Sequence, residues 1–238
     1  MTKEHPLDPN PKSGWQPKIV FLDRDGTINE EVNYLYKPED LVILPGVPEA
    51  LRELKKAGYL LILITNQAGI ARGYYTEEDC IRLNLVLDTE LKRAGAGLNA
   101  VYYCPHHPEH GIGKYKLHCH CRKPETGLLL QAEADLMSCR IPSGDMLYQS
   151  RCILSEAEQK ALSEWNRSPE GPDFTNCFMI GGKLGDILAG RRFGVRSILV
   201  GTGYGEKEQR AAAAGSYDYY ADTLKEAAKW IIRQQSIR

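Results

Sequence analysis

The chain has 238 residues, enough for one domain with a sizeable core or two small ones. Hydrophobic residues make up 42%, charged residues 26%, and the net charge is −1, which lacks the Lys/Arg excess that a general nucleic-acid binder needs. No apolar run approaches the roughly 18 residues of a membrane helix, so neither nucleic acid nor membrane is an expected partner.

Residues 1–17 are polar, contain four prolines and lack a signal-like apolar core. They are expected to form a loose N-terminal arm of a cytoplasmic protein. Residues 18–238 are expected to form a single domain. Five short apolar runs then recur as predicted buried strands: KIVFL (18–22), LLILI (60–64), AVYY (100–103), CFMI (177–180) and SILV (197–200). Helical patterns lie between or after them. PEALRELKKAG (48–58) and TEEDCIRLNLVLDTELKRAG (76–95) both close on glycine, and 127–137, GDILAGRRFG (185–194) and DTLKEAAKWIIRQQ (222–235) follow. Strand alternating with helix predicts an α/β fold, a Rossmann-like parallel sheet with helices on both faces. Residues 138–176 break the rhythm and read as an insertion, a surface excursion with one amphipathic helix opened by a Ser155/Glu158 capping box.

Ligands of such sheets bind beyond the carboxyl ends of the strands. Here those ends carry Asp23, Asp25, Thr65, Asn66 and the turn IGGKLGD (180–186). That turn is not a nucleotide loop: Cys177 stands where a P-loop needs its first glycine, and Leu184 replaces the hydroxyl residue. In Asp23-Arg24-Asp25-Gly26-Thr27, two acids two residues apart repel one another, a poor structural choice. A solvated turn is the plain reading; the functional one is a divalent cation and two chemical roles.

The stretch FLDRDGT (21–27) resembles the first motif of the haloacid dehalogenase superfamily, D-x-D-G-T after an apolar strand. Thr65 ends the next strand as that superfamily's second motif does, Lys123 in CRKPETG (121–127) resembles the third, and 180–186 takes the place of the acidic fourth. The resemblance implies the superfamily's fold, with no large cap domain, and a Mg²⁺-dependent phosphatase. Asp23 is then the nucleophile that forms an aspartyl-phosphate, Asp25 the acid and base, and Thr65 and Lys123 the groups that hold the phosphoryl oxygens.

The seven cysteines are an odd number, and three crowd into CPHHPEHGIGKYKLHCHC (104–121) with five of the six histidines. Cys104-x-His106 and Cys119-x-Cys121 make two bidentate clips, a donor set that selects Zn²⁺. His107, His110, His118 and His120 stay open as alternatives to His106. The pattern CPHH…CHCRKP is similar to that of the D-glycero-D-manno-heptose 1,7-bisphosphate phosphatases and the related histidinol-phosphate phosphatases. There the zinc is structural: it closes a loop over the active site and positions the pair that is Arg122–Lys123 here.

TNQAGIARGYY (65–75) resembles the heptose enzymes. The phosphatase half of polynucleotide kinases shares such a stretch but not the cysteines. The resemblance implies a phosphosugar substrate, removal of its 7-phosphate, and substrate contacts from Asn66, Gln67, Arg72, Arg122 and Lys183 of a chain acting as a monomer. It also exposes a gap. The heptose family reads G-D-K-x-x-D at its fourth motif, whereas this chain has Gly182 in place of the metal-binding Asp. The expected Mg²⁺ ligands are therefore Asp23, Asp25 (through its carbonyl) and Asp186. A catalytically impaired homologue that binds phosphosugar or protein, and a phosphatase for histidinol phosphate or another small ester, are the alternatives.

Overall fold

The computed structural model describes residues 15–141 and 147–235. Most of the predicted arm, and 142–146 within the predicted insertion, lie outside them. Seven strands form one parallel sheet: β1 (Ile19–Leu22), β2 (Leu60–Asn66), β3 (Ala100–Cys104), β4 (Tyr148–Ser150), β5 (Cys177–Gly181), β6 (Arg196–Val200) and β7 (Tyr219–Ala221). Their order is β4-β3-β2-β1-β5-β6-β7. The central strands are apolar throughout because both faces are covered. Val20, Leu22, Leu61, Leu63, Phe178 and Ile180 face one side. Ile19, Phe21, Ile62, Ile64, Cys177 and Met179 face the other.

The first face carries α1 (Val47–Lys56), α3 (Glu77–Arg93) and α8 (Leu224–Gln235), which deliver Leu51, Leu54, Leu87, Leu91 and Ile231 to the core. The second carries α4 (Gly127–Met137), α5 (Glu156–Asn166) and α6 (Leu184–Phe193), with Leu128, Leu129, Leu162 and Phe193. Two short helices, α2 (Ala68–Ala71) and α7 (Gly205–Ala211), follow β2 and β6. The helix caps follow ordinary rules, and the Ser155/Glu158 box and closing Gly194 are those the sequence suggests. Thr76 and Asp79 close a capping box on α3, Ser155 and Glu158 one on α5, and Gly194 ends α6 in the left-handed region.

Two predictions change. Residues 138–176 are more than a surface excursion, because β4 extends the sheet beside β3 (Ala100 opposite Tyr148) before α5 begins. The sheet also gains β7 at its other edge. Both strands are three residues long and carry half-buried residues, so neither shows the apolar run of a central strand. Between β1 and α1 the chain forms only a single 3-10 turn, Pro38–Asp40, and no separate cap. Among the described residues no helix is long and apolar enough to cross a membrane.

Candidate active site

Strands β3, β2, β1 and β5 are consecutive neighbours, so their carboxyl ends bring four separate stretches of chain together. Register does the rest: Leu22 lies opposite both Leu63 and Ile180, which sets Asp23 level with the ends of β2 and β5. The Asp23 amide donates to the Ile180 carbonyl at 2.9 Å.

Lys123 is the centre of the site. Its Nζ donates to Asp23 Oδ1 at 2.7 Å and to the Ile64 carbonyl at 2.7 Å, and it lies 2.6 Å from Asp186 Oδ1. All three ammonium protons thus have acceptors. Burial opposes the charge on Lys123, yet the carboxylates of Asp186 and Asp23 prevail and raise its pKa. Asp186 is pushed up to about 6, first by burial and then by the nearby Asp23 charge, against the pull of Lys123.

Asp186 makes two contacts at the start of α6. Oδ1 serves Lys123 and Oδ2 accepts the Lys183 backbone N–H at 3.0 Å, closing the first turn of α6. It is the counter-ion of Lys123 and a helix cap, and each carboxylate oxygen keeps a further lone pair beyond these contacts. Asn66 and Gln67 are tied into the site as well. Asn66 pairs its amide with the Lys123 backbone in both directions, at 3.0 Å each. Gln67 is 2% exposed and gives Nε2 to Thr65 Oγ1 at 2.8 Å and to Asp25 Oδ2 at 3.2 Å. Its Oε1 accepts from Arg24 and from Tyr75. Both amides brace other site residues: Gln67 spends both N–H donors this way, whereas Asn66 Nδ2 uses one of its two.

Asp25 sits in a cradle. Arg24 donates to both its oxygens, Nε to Oδ1 at 3.1 Å and Nη2 to Oδ2 at 3.0 Å, and Asn29 adds a bond at 3.0 Å. Burial alone raises the Asp25 pKa, but the Arg24 guanidinium and the hydrogen bonds from Asn29, Arg24 and Gln67 overturn that and hold it below its ordinary value. Arg24 lies inside the quoted motif, yet its burial and its further bonds to Asn84 and the Leu35 carbonyl had no sequence signal. Arg72 lies over the Tyr34 ring, 5.8 Å from its centroid, and its buried Nε has no partner. Arg122 donates to the His106 carbonyl at 3.3 Å, which ties it to the cysteine loop.

Glu31 was not anticipated. Its Oε2 accepts from Lys183 Nζ at 2.8 Å. Burial raises its pKa, Lys183 opposes that, and the charges of Asp25 and Asp23 add to it. The second acid of the pair Glu30–Glu31 gives no spacing by which sequence alone connects it to residue 183.

The oxygens near Gly182 test whether a magnesium ion suits this chain. Magnesium takes oxygen donors in near-octahedral array and keeps several waters. One Asp23 oxygen remains beyond Lys123, the Asp25 carbonyl is on the adjoining turn, and Glu31 adds a carboxylate. Thr27 is fully buried and its Oγ1 has no hydrogen-bond partner. These donors fit a hard cation, although Gly182 itself offers none.

The second candidate centre is compact. Cys104, Cys119 and Cys121 Sγ and a ring nitrogen of His106 all lie within 4.8 Å of one another. The sulfurs are 3.1–3.5 Å apart, and Nδ1 of His106 is 3.5 Å from Cys121 Sγ. Three soft donors and an imidazole converging on one point are a set that can hold a metal ion. Of the alternative histidines, His107 accepts two backbone N–H bonds through Nδ1 and His120 pairs with Glu156 at 2.8 Å.

The chain is similar to known proteins along most of its length. A family model described as polynucleotide kinase 3 phosphatase matches residues 18–150, and one described as HAD-hydrolase-like matches 120–227. The D-glycero-beta-D-manno-heptose-1,7-bisphosphate 7-phosphatase of Haemophilus influenzae is 37% identical over 208 residues, 87% of this chain and 92% of that one. The enzyme of the same name from Vibrio cholerae is 36% identical and covers 90% and 96%. The alpha-anomer phosphatase of Burkholderia mallei is 47% identical over a shorter stretch, 50% of this chain and 62% of that one. Among solved structures, the D,D-heptose 1,7-bisphosphate phosphatase of B. bronchiseptica, complexed with magnesium and phosphate, shares the fold. Its TM-score is 0.68 at 24% identity, over 91% of this chain and 99% of that chain. Fold, motif order and relatedness over the whole sheet converge, and the chain belongs to the heptose-1,7-bisphosphate 7-phosphatase family of haloacid-dehalogenase-type phosphatases.

Proposed function

We propose that this phosphatase removes the 7-phosphate of D-glycero-D-manno-heptose 1,7-bisphosphate. The observation that carries the reading is the position of Lys123, pinned between Asp23 and Asp186 at the carboxyl ends of β1 and β5. In this reading Asp23 attacks phosphorus and the C7 oxygen leaves with a proton from Asp25. Water then attacks the aspartyl-phosphate and gives its proton to Asp25, which restores both groups. The cradle of Arg24, Asn29 and Gln67 keeps resting Asp25 anionic, the form that accepts the water's proton. An incoming phosphate beside it raises its pKa, which is what the donor step needs.

Thr65 and Lys123 balance the charge that builds on the phosphoryl oxygens. Arg72 and Arg122, both partly exposed, suit the distal phosphate because guanidinium binds phosphate in bidentate fashion. A bound magnesium ion, held by Asp23 and the Asp25 carbonyl, supplies Lewis-acid charge that lets a carboxylate approach a phosphate anion. The four-ligand cluster suits structural zinc, since Cys104, His106, Cys119 and Cys121 leave no coordination position open. The named relatives do not favour a homologue that binds without turning over.

The test is phosphate release from both anomers of the heptose bisphosphate and from histidinol phosphate, with magnesium titrated. Release from a heptose bisphosphate at millimolar magnesium is the expected result. Release from neither anomer, while another ester is hydrolysed, overturns the substrate.

A further inference from the structure

Gly182 removes a carboxylate from the site, and what borders the position it leaves is oxygen. A Cβ placed on Gly182 would lie 3.2 Å from the Thr202 carbonyl, 3.6 Å from the Gly26 carbonyl and 3.9 Å from Thr27 Oγ1. The space in front of residue 182 is therefore ringed by oxygen atoms. One of them, Thr27 Oγ1, is buried and has no hydrogen-bond partner, an unfilled demand inside the site.

Glu31 lies on the adjoining side of the same turn, against Gly26 and Gly203. Its Oε2 is 3.4 Å from a Cβ placed on Gly26, the residue whose carbonyl also borders the gap. It is bonded to Lys183, the neighbour of Gly182, and it feels the charges of Asp25 and Asp23. Glu31 is only 17% exposed, and among the described residues the cation paired with it is Lys183. Three carboxylates thus converge on the turn at 25–27, with the Lys183 ammonium bonded to the one that the motif did not foresee.

We propose that Glu31 replaces the missing aspartate as a carboxylate ligand of the catalytic divalent cation, and that its departure from Lys183 frees that ammonium for the substrate phosphate. The inference rests on the phosphatase reading of the site. The carboxylate count is kept by exchange between positions: residue 182 loses its acid, and an acid on the loop after β1 takes its place. Lys183 bonds Glu31 before the cation arrives. Once Glu31 turns to the cation, the ammonium, whose side chain is 41% exposed, is released from its carboxylate and is open to an incoming anion.

The experiment measures magnesium binding directly, by calorimetric titration of the zinc-loaded full chain in buffer containing inorganic phosphate, without turnover. Glu31→Gln is expected to weaken magnesium binding by about tenfold or more, the scale of losing a supporting ligand. Gly182→Asp is expected to tighten it, and Glu31→Gln in the Gly182→Asp background to change it by less than about threefold, because the restored aspartate makes Glu31 redundant. That rescue also shows that Glu31→Gln does not act through misfolding. Unchanged magnesium affinity in Glu31→Gln, or equal losses in both backgrounds, overturns the proposal. Phosphate release by the unaltered chain is read separately, so loss of the ligand assignment and loss of the phosphatase reading give different results.

Discussion

Asp23, Asp25 and Lys123 each sit in a different electrostatic setting, and their substitutions should fail in different ways. Asp23→Asn removes the proposed nucleophile but keeps a hydrogen-bond acceptor for Lys123. Phosphate release is expected to fall by at least about 10³-fold with little change in thermal stability. Lys123→Met leaves Asp23 and Asp186 facing one another without their shared cation. Here release is expected to fall by about 10²–10⁴-fold, and the pKa of Asp186, about 6 in the intact site, should climb further as Asp23 repulsion goes unopposed. A pH titration that follows the Asp186 carboxyl by NMR checks the second point, and an unchanged midpoint would contradict the arrangement described. Asp23, Asp25 and Thr65 stood out in the sequence because each closes or follows an apolar run, and Lys123 because CRKPETG stands just before a helix. Arg24, Gln67 and Glu31 were not legible in their present roles. What decides those roles is which side chain is buried beside which, and a linear spacing of eight residues, as from Asp23 to Glu31, does not encode it.

Elements carry the second group of predictions, and α4 and α5 show it best. Glu133 on α4 is fully buried; Asn166 on α5 donates to its Oε2 at 2.8 Å, and Oε1 has no partner. Burial pushes the Glu133 carboxyl up to about 8. The folded chain therefore holds a proton that the unfolded chain has released, and stability falls as pH rises from the usual glutamate value of 4.5 towards about 8, then levels off. Glu133→Gln keeps the acceptor for Asn166 and never ionises. It is expected to melt higher than the unaltered chain at pH 8.5, by about 1–3 kcal/mol, and to show no advantage at pH 4.5. Melting curves at the two pH values decide it, and a pH-independent difference would refute the account. The capping box of α5 is worth less: Ser155→Ala should cost about 1 kcal/mol in denaturant titration. That box was visible as a serine followed three residues later by glutamate. The strand before it was not, because Tyr148-Gln149-Ser150 has neither length nor an apolar run.

The molecule as a whole is organised by where its chain crosses the sheet. The four cluster ligands come from the end of β3 and from the loop that leads directly into Arg122 and Lys123. A metal held at that cluster would thus be coupled to the placement of Lys123. Removing one thiolate by Cys119→Ser, or stripping the metal with a strong chelator, is expected to reduce bound zinc from one per chain, lower the melting temperature by several degrees and cut phosphate release by at least about tenfold. Metal analysis of the purified variant checks the first effect directly, and unchanged stoichiometry would remove Cys119 from the ligand set. The central strands were legible because burial on both faces demands continuous apolar sequence, as in LLILI and CFMI.

The outer strands answer to a different pressure. With Tyr148–Ser150 at one margin and Tyr219–Ala221 at the other, the sheet ends on two three-residue strips. Each offers few unsatisfied backbone groups to a passing chain, too little for another strand to zip onto. Brevity at the margins therefore acts as a safeguard for solubility: the apolar centre can be as sticky as packing requires, while the rims give aggregation little to template on.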